Sequence, residues 1–442
     1  MHKYFIGRYN PLENETDARM ECLWSRLAST FYESWLLSPG DHPLQSLWQR
    51  HDAQSTIELY TLACAIEIFQ DLDPQWVKYQ IEEIKSTNAN NRRGALFELI
   101  GLACFHRKPQ TVTPAARSQK GYDGIVQVSG GGKLRLSLKS YGISRHNEVV
   151  TKKAQQIETA IVAEMRIRGN YALEILIDIP SRYPSEIDWS ILNNGLRSVF
   201  DLYRGVPGIW GLKNTWVIAL RPLPEERTVF YQKSTSYTLI MLTPYHKNER
   251  INLFSKFNEA CLNLKACCAN ETQDMRNIIF IRLPWNAPIK TCVAWADEYF
   301  QMYPTAPVSG ICFFQPSVSQ KQDGKSVIHV CLALAARSAY MEWYSRQPSK
   351  LNIALPVGIV SNTPSALIFQ IGKQVIGIED RFVFQRGHHY EVSYRDKEGC
   401  IKGTLRNPAP GVVTHAVMEP IPGKGKIVMS GKFPPDDHLF LI

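Results

Sequence analysis

The segment Lys133-Leu134-Arg135-Leu136-Ser137-Leu138-Lys139 alternates with a period of two. On an extended chain Leu134, Leu136 and Leu138 share one face, and Lys133, Arg135, Ser137 and Lys139 share the other. Such alternation marks a strand that is apolar on one side and carries polar groups on the other. Ser129-Gly130-Gly131-Gly132 precedes it as a turn, and Asp123 to Val128 reads as the strand before that turn. Two strands joined in this way would lay Asp123 near Ser137 and Lys139.

Around this hairpin the chain divides by texture. Residues 13–88 read as helical, with apolar side chains recurring at spacings of three and four, a turn-rich break at Ser38-Pro39-Gly40-Asp41-His42-Pro43, and a helix opened by Asp73-Pro74. A helix is expected over about Arg93 to Phe105, a strand at Thr111 to Ala116, and a helix from about Val150 to Arg168 ended by Gly169-Asn170. The next strand is expected at Leu173 to Ile179. Strands at Ile278 to Ile281 and Gly310 to Phe314 flank a helix through Trp295, and short alternating runs with Gly turns dominate from about Ile368 onward. The expected organisation is a helical N-terminal module over 1–90, an α/β core over 91–245, an α/β extension over 246–365 and a small β-rich C-terminal domain over 366–442.

The net charge is +9 and it is concentrated. Between Arg92 and Arg168 there are fourteen basic and five acidic residues, an excess equal to that of the whole chain. A basic segment in an otherwise balanced protein is the footprint expected of a polyanion-binding site; an ordinary solvated face is the alternative. Ten scattered cysteines form no CxxC pair, which suits small buried side chains in a reducing cytoplasm. No run of about 18 apolar residues is present, so no membrane span is expected. Dinucleotide, Walker, zinc-protease and serine-hydrolase signatures are absent.

Glu98 is the only charge in the apolar helix Gly94 to Phe105, where an isolated carboxylate must find a cation or neutralise. Taken singly it could pair with Arg92 or Arg93, and Asp123 beside Gly124 is ordinary turn chemistry. Together with Lys139 they can do more. A carboxylate able to hold a divalent cation, beside an ammonium able to orient water, suits phosphodiester hydrolysis.

A helix-borne Glu, an Asp, a Ser-x-Lys strand, a helix and a further strand, over roughly residues 90–180, resemble the core of the PD-(D/E)XK, restriction-endonuclease-like nucleases. Glu98 matches the helix glutamate, Asp123 the motif aspartate and Lys139 the motif lysine. Ser137 stands where most members carry a second metal-binding acid, and Gly121-Tyr122 replaces the proline-bearing lead-in. In Ser-x-Lys members an acid from the following helix takes over, which points to Glu158, with Glu148 as second choice.

The resemblance implies an α/β fold with a mixed sheet and catalytic residues Asp123, Lys139, Glu98 and Ser137. It further implies Mg²⁺ or Mn²⁺ held by Asp123, Glu98 and Glu158, and DNA as substrate, with RNA not excluded. Arg117, Lys120, Arg135, Arg145, Lys152 and Lys153 are the expected phosphate contacts. A homodimer or a protein partner is compatible, as is a degenerate protein that binds nucleic acid without cutting it.

Overall fold

A computed structural model of the chain describes residues 16–38, 42–49, 53–116, 118, 121–142, 144–169, 172–222, 236–267, 272, 274–284, 287–320, 326–348, 351–362, 368–371, 374–377, 381–386, 389–396, 399–406, 413–418 and 428–432. It is a mixed α/β structure. The helices are α1 (Asp17–Phe31), α2 (Glu33–Leu36), α3 (Pro43–Gln49), α4 (Ala53–Leu72), α5 (Pro74–Ile84), α6 (Ala89–Ala103), α7 (Arg145–Ile167), α8 (Glu186–Leu202), α9 (Glu249–Cys267), α10 (Ile289–Met302) and α11 (Ser338–Ser345).

The strands before the C-terminal region are β1 (Thr111–Pro114), β2 (Gly124–Gln127), β3 (Lys133–Ser140), β4 (Ala172–Asp178), β5 (Gly208–Leu212), β6 (Trp216–Pro222), β7 (Ser236–Pro244), β8 (Met275–Arg282), β9 (Gly310–Gln320), β10 (Ser326–Ala336) and β11 (Ile359–Ser361). β12 (Ile368–Ile371) and β13 (Gln374–Gly377) form a hairpin, and β14 (Arg381–Arg386) follows them. β15 (His389–Asp396), β16 (Gly399–Arg406), β17 (Val413–Met418) and β18 (Val428–Lys432) make a four-stranded antiparallel sheet. The expected β-rich C-terminal region is present, although β14 leaves it to join another sheet.

Among the described residues the main sheet has seven strands in the order β1-β2-β3-β8-β9-β10-β11. β1, β2 and β3 form an antiparallel meander; Gly130 and Gly131 in its second turn both have φ 103, a conformation that costs glycine little and other residues much. β3 then pairs in parallel with β8, and β8 with β9. This corrects the expectation that 91–245 is a self-contained core and that the strand near Leu173–Ile179 completes it. β4 instead belongs to a second, five-stranded sheet, β14-β7-β4-β6-β5. The segment from α7 to β7 is thus inserted between two neighbouring strands of the main sheet, and the expected boundary at 245/246 cuts through that sheet.

Alternation decides the layers. In the parallel register Leu136 lies opposite Ile278 and Leu138 opposite Phe280, and these side chains share one core with helices α1 to α6. Ser137 lies opposite Ile279 and Lys139 opposite Ile281, on the face packed by α9 and α10. The result is three layers, helices on both faces of the sheet, as a mixed sheet with buried central strands requires. The N-terminal helices are one of those layers, because Met20, Trp24 and Phe69 belong to the same core as Leu138 and Phe280.

Phe280 is fully buried and meets the rings of Phe97, Phe105 and Phe314 at centroid distances of 5.5, 5.2 and 5.6 Å. It joins β8 to α6 across the sheet. Phe280→Ala should therefore cost about 3–5 kcal/mol in denaturant unfolding, whereas Ile251→Ala, at an exposed position, should cost no more than about 0.5 kcal/mol.

Candidate functional site

The site forms where the β2–β3 ladder ends. The last pair is Gly124 with Leu136, so the Leu138 N–H lies beyond the reach of the β2 backbone. The Asp123 side chain takes its place: Oδ2 accepts from Leu138 N–H at 2.6 Å, while the Asp123 N–H donates to Leu136 O at 2.8 Å. One carboxylate oxygen is used to terminate the ladder, and Lys139 is the next residue along.

α6 crosses this point antiparallel to β3. A Cβ at Gly101 would lie 2.8 Å from Leu138 Cδ2, and a Cβ at Gly142 would lie 3.8 Å from Arg93 Nη1. Glu98 falls between these two contacts along α6. The Glu98 Oε2 accepts from Gln80 Nε2 at 2.8 Å, and Gln80, on α5, is itself buried. A larger residue at 101 would press on the Leu138 and Phe97 side chains.

The three charges act on one another. Burial, then the charge of Asp123, push the Glu98 carboxyl up to about 7, against the opposing pull of Gln80 and Lys139 and with a further push from Glu83. Burial raises Asp123 as well, against Lys139 and the Leu138 N–H. Two buried acids therefore sit beside one ammonium group, with more negative charge than that group offsets. Glu98, Asp123 and Lys139 lie within electrostatic reach of one another, and Ser137, 2% exposed, is buried on the Lys139 side of β3.

Glu158 is not brought to them. It is buried on α7, where its Oε1 accepts from Tyr237 Oη at 2.6 Å, and Tyr237 is packed against the core of the second sheet. The reason is the insertion: the helix next in sequence after β3 serves the other sheet, whereas the helix that packs against β3 is α9. An acid on α9 does reach the site. Glu259 Oε1 lies 3.5 Å from Lys139 Nζ, and its Oε2 lies 3.2 Å from Lys256 Nζ. Burial works to raise Glu259, but Lys139 and Lys256 outweigh it and hold the carboxyl below its ordinary value. Sequence reading missed Glu259 because 120 positions separate it from Lys139; the apolar helix-then-strand order of 253–281 was the available signal. Among the described residues no three His, Cys, Asp or Glu side chains converge to hold a metal ion, so the expected Asp123, Glu98 and Glu158 set is not assembled.

Tyr141, two residues past Lys139, donates to Glu249 Oε2 at 2.5 Å, and His146 Nδ1 lies 3.0 Å from Glu249 Oε1. The His146 ring stacks on His246 at 3.7 Å, with Tyr183 edge-on to both. These side chains clamp the two crossings between the main sheet and the inserted segment, which steadies the end of β3 next to Lys139.

The expected phosphate contacts are dispersed. Arg145 and Lys152 are exposed on α7, Lys153 pairs with Glu186 at 2.5 Å, and Arg135 Nη1 donates to Asn277 Oδ1 at 3.4 Å. Arg117 and Lys120 lie outside the described residues. No helix among the described residues is long and apolar enough to cross a membrane. No protein-family model, curated protein or solved structure matches the chain.

A pH dependence follows from the two raised carboxyls. Each folded-state pKa lies above its ordinary value, so their contribution to stability is complete below about pH 4 and is lost as pH rises through the folded value, near 7 for Glu98. In chelator, Glu98→Gln should spare the protein that loss. Its unfolding free energy relative to wild type should rise by roughly 1–3 kcal/mol between pH 5 and pH 8, read from paired urea titrations.

Proposed function

We propose that the chain is a divalent-metal-dependent nuclease of restriction-endonuclease-like fold, hydrolysing DNA phosphodiester bonds. The observation that carries this reading is the convergence of Glu98, Asp123 and Lys139 at the point where β2 leaves β3. The order α6, β1, β2, β3, then α9 and β8 parallel to β3, supports the same reading once the inserted segment is set aside.

The donor set fits a hard cation. Both acids supply oxygen, both are buried in excess negative charge, and Mg²⁺ is commonly held by one or two carboxylates with water and substrate phosphate completing its shell. Asp123 would hold it through the oxygen that does not serve Leu138, and Glu98 through the one that does not serve Gln80. The chemistry a bound Mg²⁺ or Mn²⁺ supplies is Lewis-acid polarisation of the phosphodiester.

The remaining roles belong to the chain. Lys139 orients the attacking water and offsets charge developing on the phosphate. Glu259 holds the Lys139 ammonium in place from α9. Ser137, short and buried, leaves room between the acids and the lysine.

A second reading has its own support. With a serine at 137 and no three-acid cluster among the described residues, a protein that keeps the fold and binds nucleic acid without cleavage is the alternative. Purified protein with plasmid in Mg²⁺ or Mn²⁺ separates the two. Asp123→Asn and Lys139→Met should each lower cleavage by about two orders of magnitude or more, and Glu158→Gln should leave it within about twofold. Mn²⁺ should raise the melting temperature of wild type and not of Asp123→Asn. Cleavage that survives in both variants rejects the assignment, and salt-sensitive binding without any cleavage selects the second reading.

A further inference from the structure

A cavity of about 440 Å³ lies between α4, the C-terminal end of α6 and the strap 351–357. Pockets of about 300–1,000 Å³ are the usual size for small-molecule sites. Tyr60, Thr61, Ala65, Ile100 and Cys104 form its buried floor. Ile68, Ala103, His106 and Pro356 on its rim keep part of their surface, and Arg107 is exposed, so the cavity opens to solvent. It is separate from the acidic site, where α6 turns Glu98 to Gln80 on α5. The strap is pinned in place. Ala354 N–H donates to Cys104 O at 3.0 Å, and Gln110 exchanges two hydrogen bonds with the Asn352 backbone at 2.9 and 3.1 Å. The space is therefore held open by backbone hydrogen bonds on either side.

The polar groups gather on one side of this cavity. Arg107 Nη2 donates to Leu355 O at 3.3 Å, which ties the guanidinium to the strap, and no carboxylate pairs with it among the described residues. The neighbouring His106 Nδ1 is buried with no hydrogen-bond partner among the described residues, a cost that an acceptor in the cavity would remove. Burial, then Arg107 and Lys108, hold His106 below its ordinary value, so its ring is neutral at pH 7 and able to donate from Nδ1. The end of α6 does not compete for these donors. The Ile100, Leu102 and Ala103 carbonyls already accept from the Cys104, Phe105 and His106 N–H groups. Glu67 is the one acid lining the cavity, and two guanidiniums answer it. Its Oε1 accepts from Arg19 Nη1 at 2.7 Å and from Arg26 Nη2 at 3.3 Å. The balance of charge around the cavity is positive, over an apolar floor.

We propose that this cavity binds a small organic monocarboxylate, with the carboxylate between Arg107 and His106 and the hydrocarbon body against Ile68, Ile100 and Ala103. One guanidinium and one neutral donor match a single negative charge. A phosphate dianion would need more cations and would leave the apolar floor unused. The assignment stands apart from the nuclease reading, since it uses none of Glu98, Asp123 or Lys139.

The test is calorimetric titration of the full chain with butanoate, pentanoate and hexanoate at equal ionic strength, with hexan-1-ol and inorganic phosphate as comparisons. Affinity should rise roughly fourfold for each added methylene, as burial of hydrocarbon requires. Hexanoate should bind more tightly than hexan-1-ol, and phosphate should bind more weakly than hexanoate. Arg107→Gln, at an exposed position, should weaken hexanoate about tenfold or more and leave hexan-1-ol within about twofold. Ala103→Leu, which fills the cavity, should abolish both. Hexanoate should also raise the melting temperature of wild type and not of Ala103→Leu. No binding of hexanoate to wild type overturns the proposal, as does affinity that ignores chain length. Hexanoate affinity within twofold of wild type in Arg107→Gln removes the carboxylate contact and overturns it as well. None of these outcomes depends on whether the protein cleaves DNA.

Discussion

The parallel pairing of β3 with β8 runs from Lys133 opposite Met275 to Ser140 opposite Arg282, and the arrangement of the whole molecule depends on it. It joins residues more than 130 positions apart, so its closure is entropically demanding and must be sustained by burial on both faces. Leucines and Phe280 bury one face against α6, and Ile279 and Ile281 bury the other against α9 and α10. A slip of one residue would exchange these faces, placing Ser137 and Lys139 in the aromatic core. The register that buries the leucines is therefore also the register that sets Lys139 beside the two acids.

That coupling explains why a costly pair of carboxylates can persist. Asp123 is not held merely as a charge, since its Oδ2 replaces the missing ladder partner of Leu138. Glu98 likewise accepts from the Gln80 Nε2 between α5 and α6. Each acid has a structural task for one oxygen, and under the proposed nuclease reading the other is the one that serves chemistry. Fixing both side chains before any ligand arrives removes the conformational cost of assembling the site, which is the condition for effective electrostatic stabilisation.

The local elements were legible because their signals are local. Strand alternation at 133–139, the Gly-rich turn and the lone acid of 94–105 all act within one or two turns of chain, and they located Glu98, Asp123 and Lys139. The sheet order was not legible, because both candidate strands after β3 are short apolar runs that periodicity cannot rank. Leu173–Ile179 comes first along the chain, and only packing shows that it pairs with β6 and β7. Glu158 was chosen on the same assumption of adjacency, and Glu259 was passed over for it.

The charge excess at 92–168 deserves a more exact physical reading than its sum. Lys153 is paired with Glu186, Arg168 with Glu164 and Asp201, and Arg135 reaches Asn277, so a good part of the local positive charge serves the packing of the inserted segment. A count of lysines and arginines weighs these equally with groups facing open space.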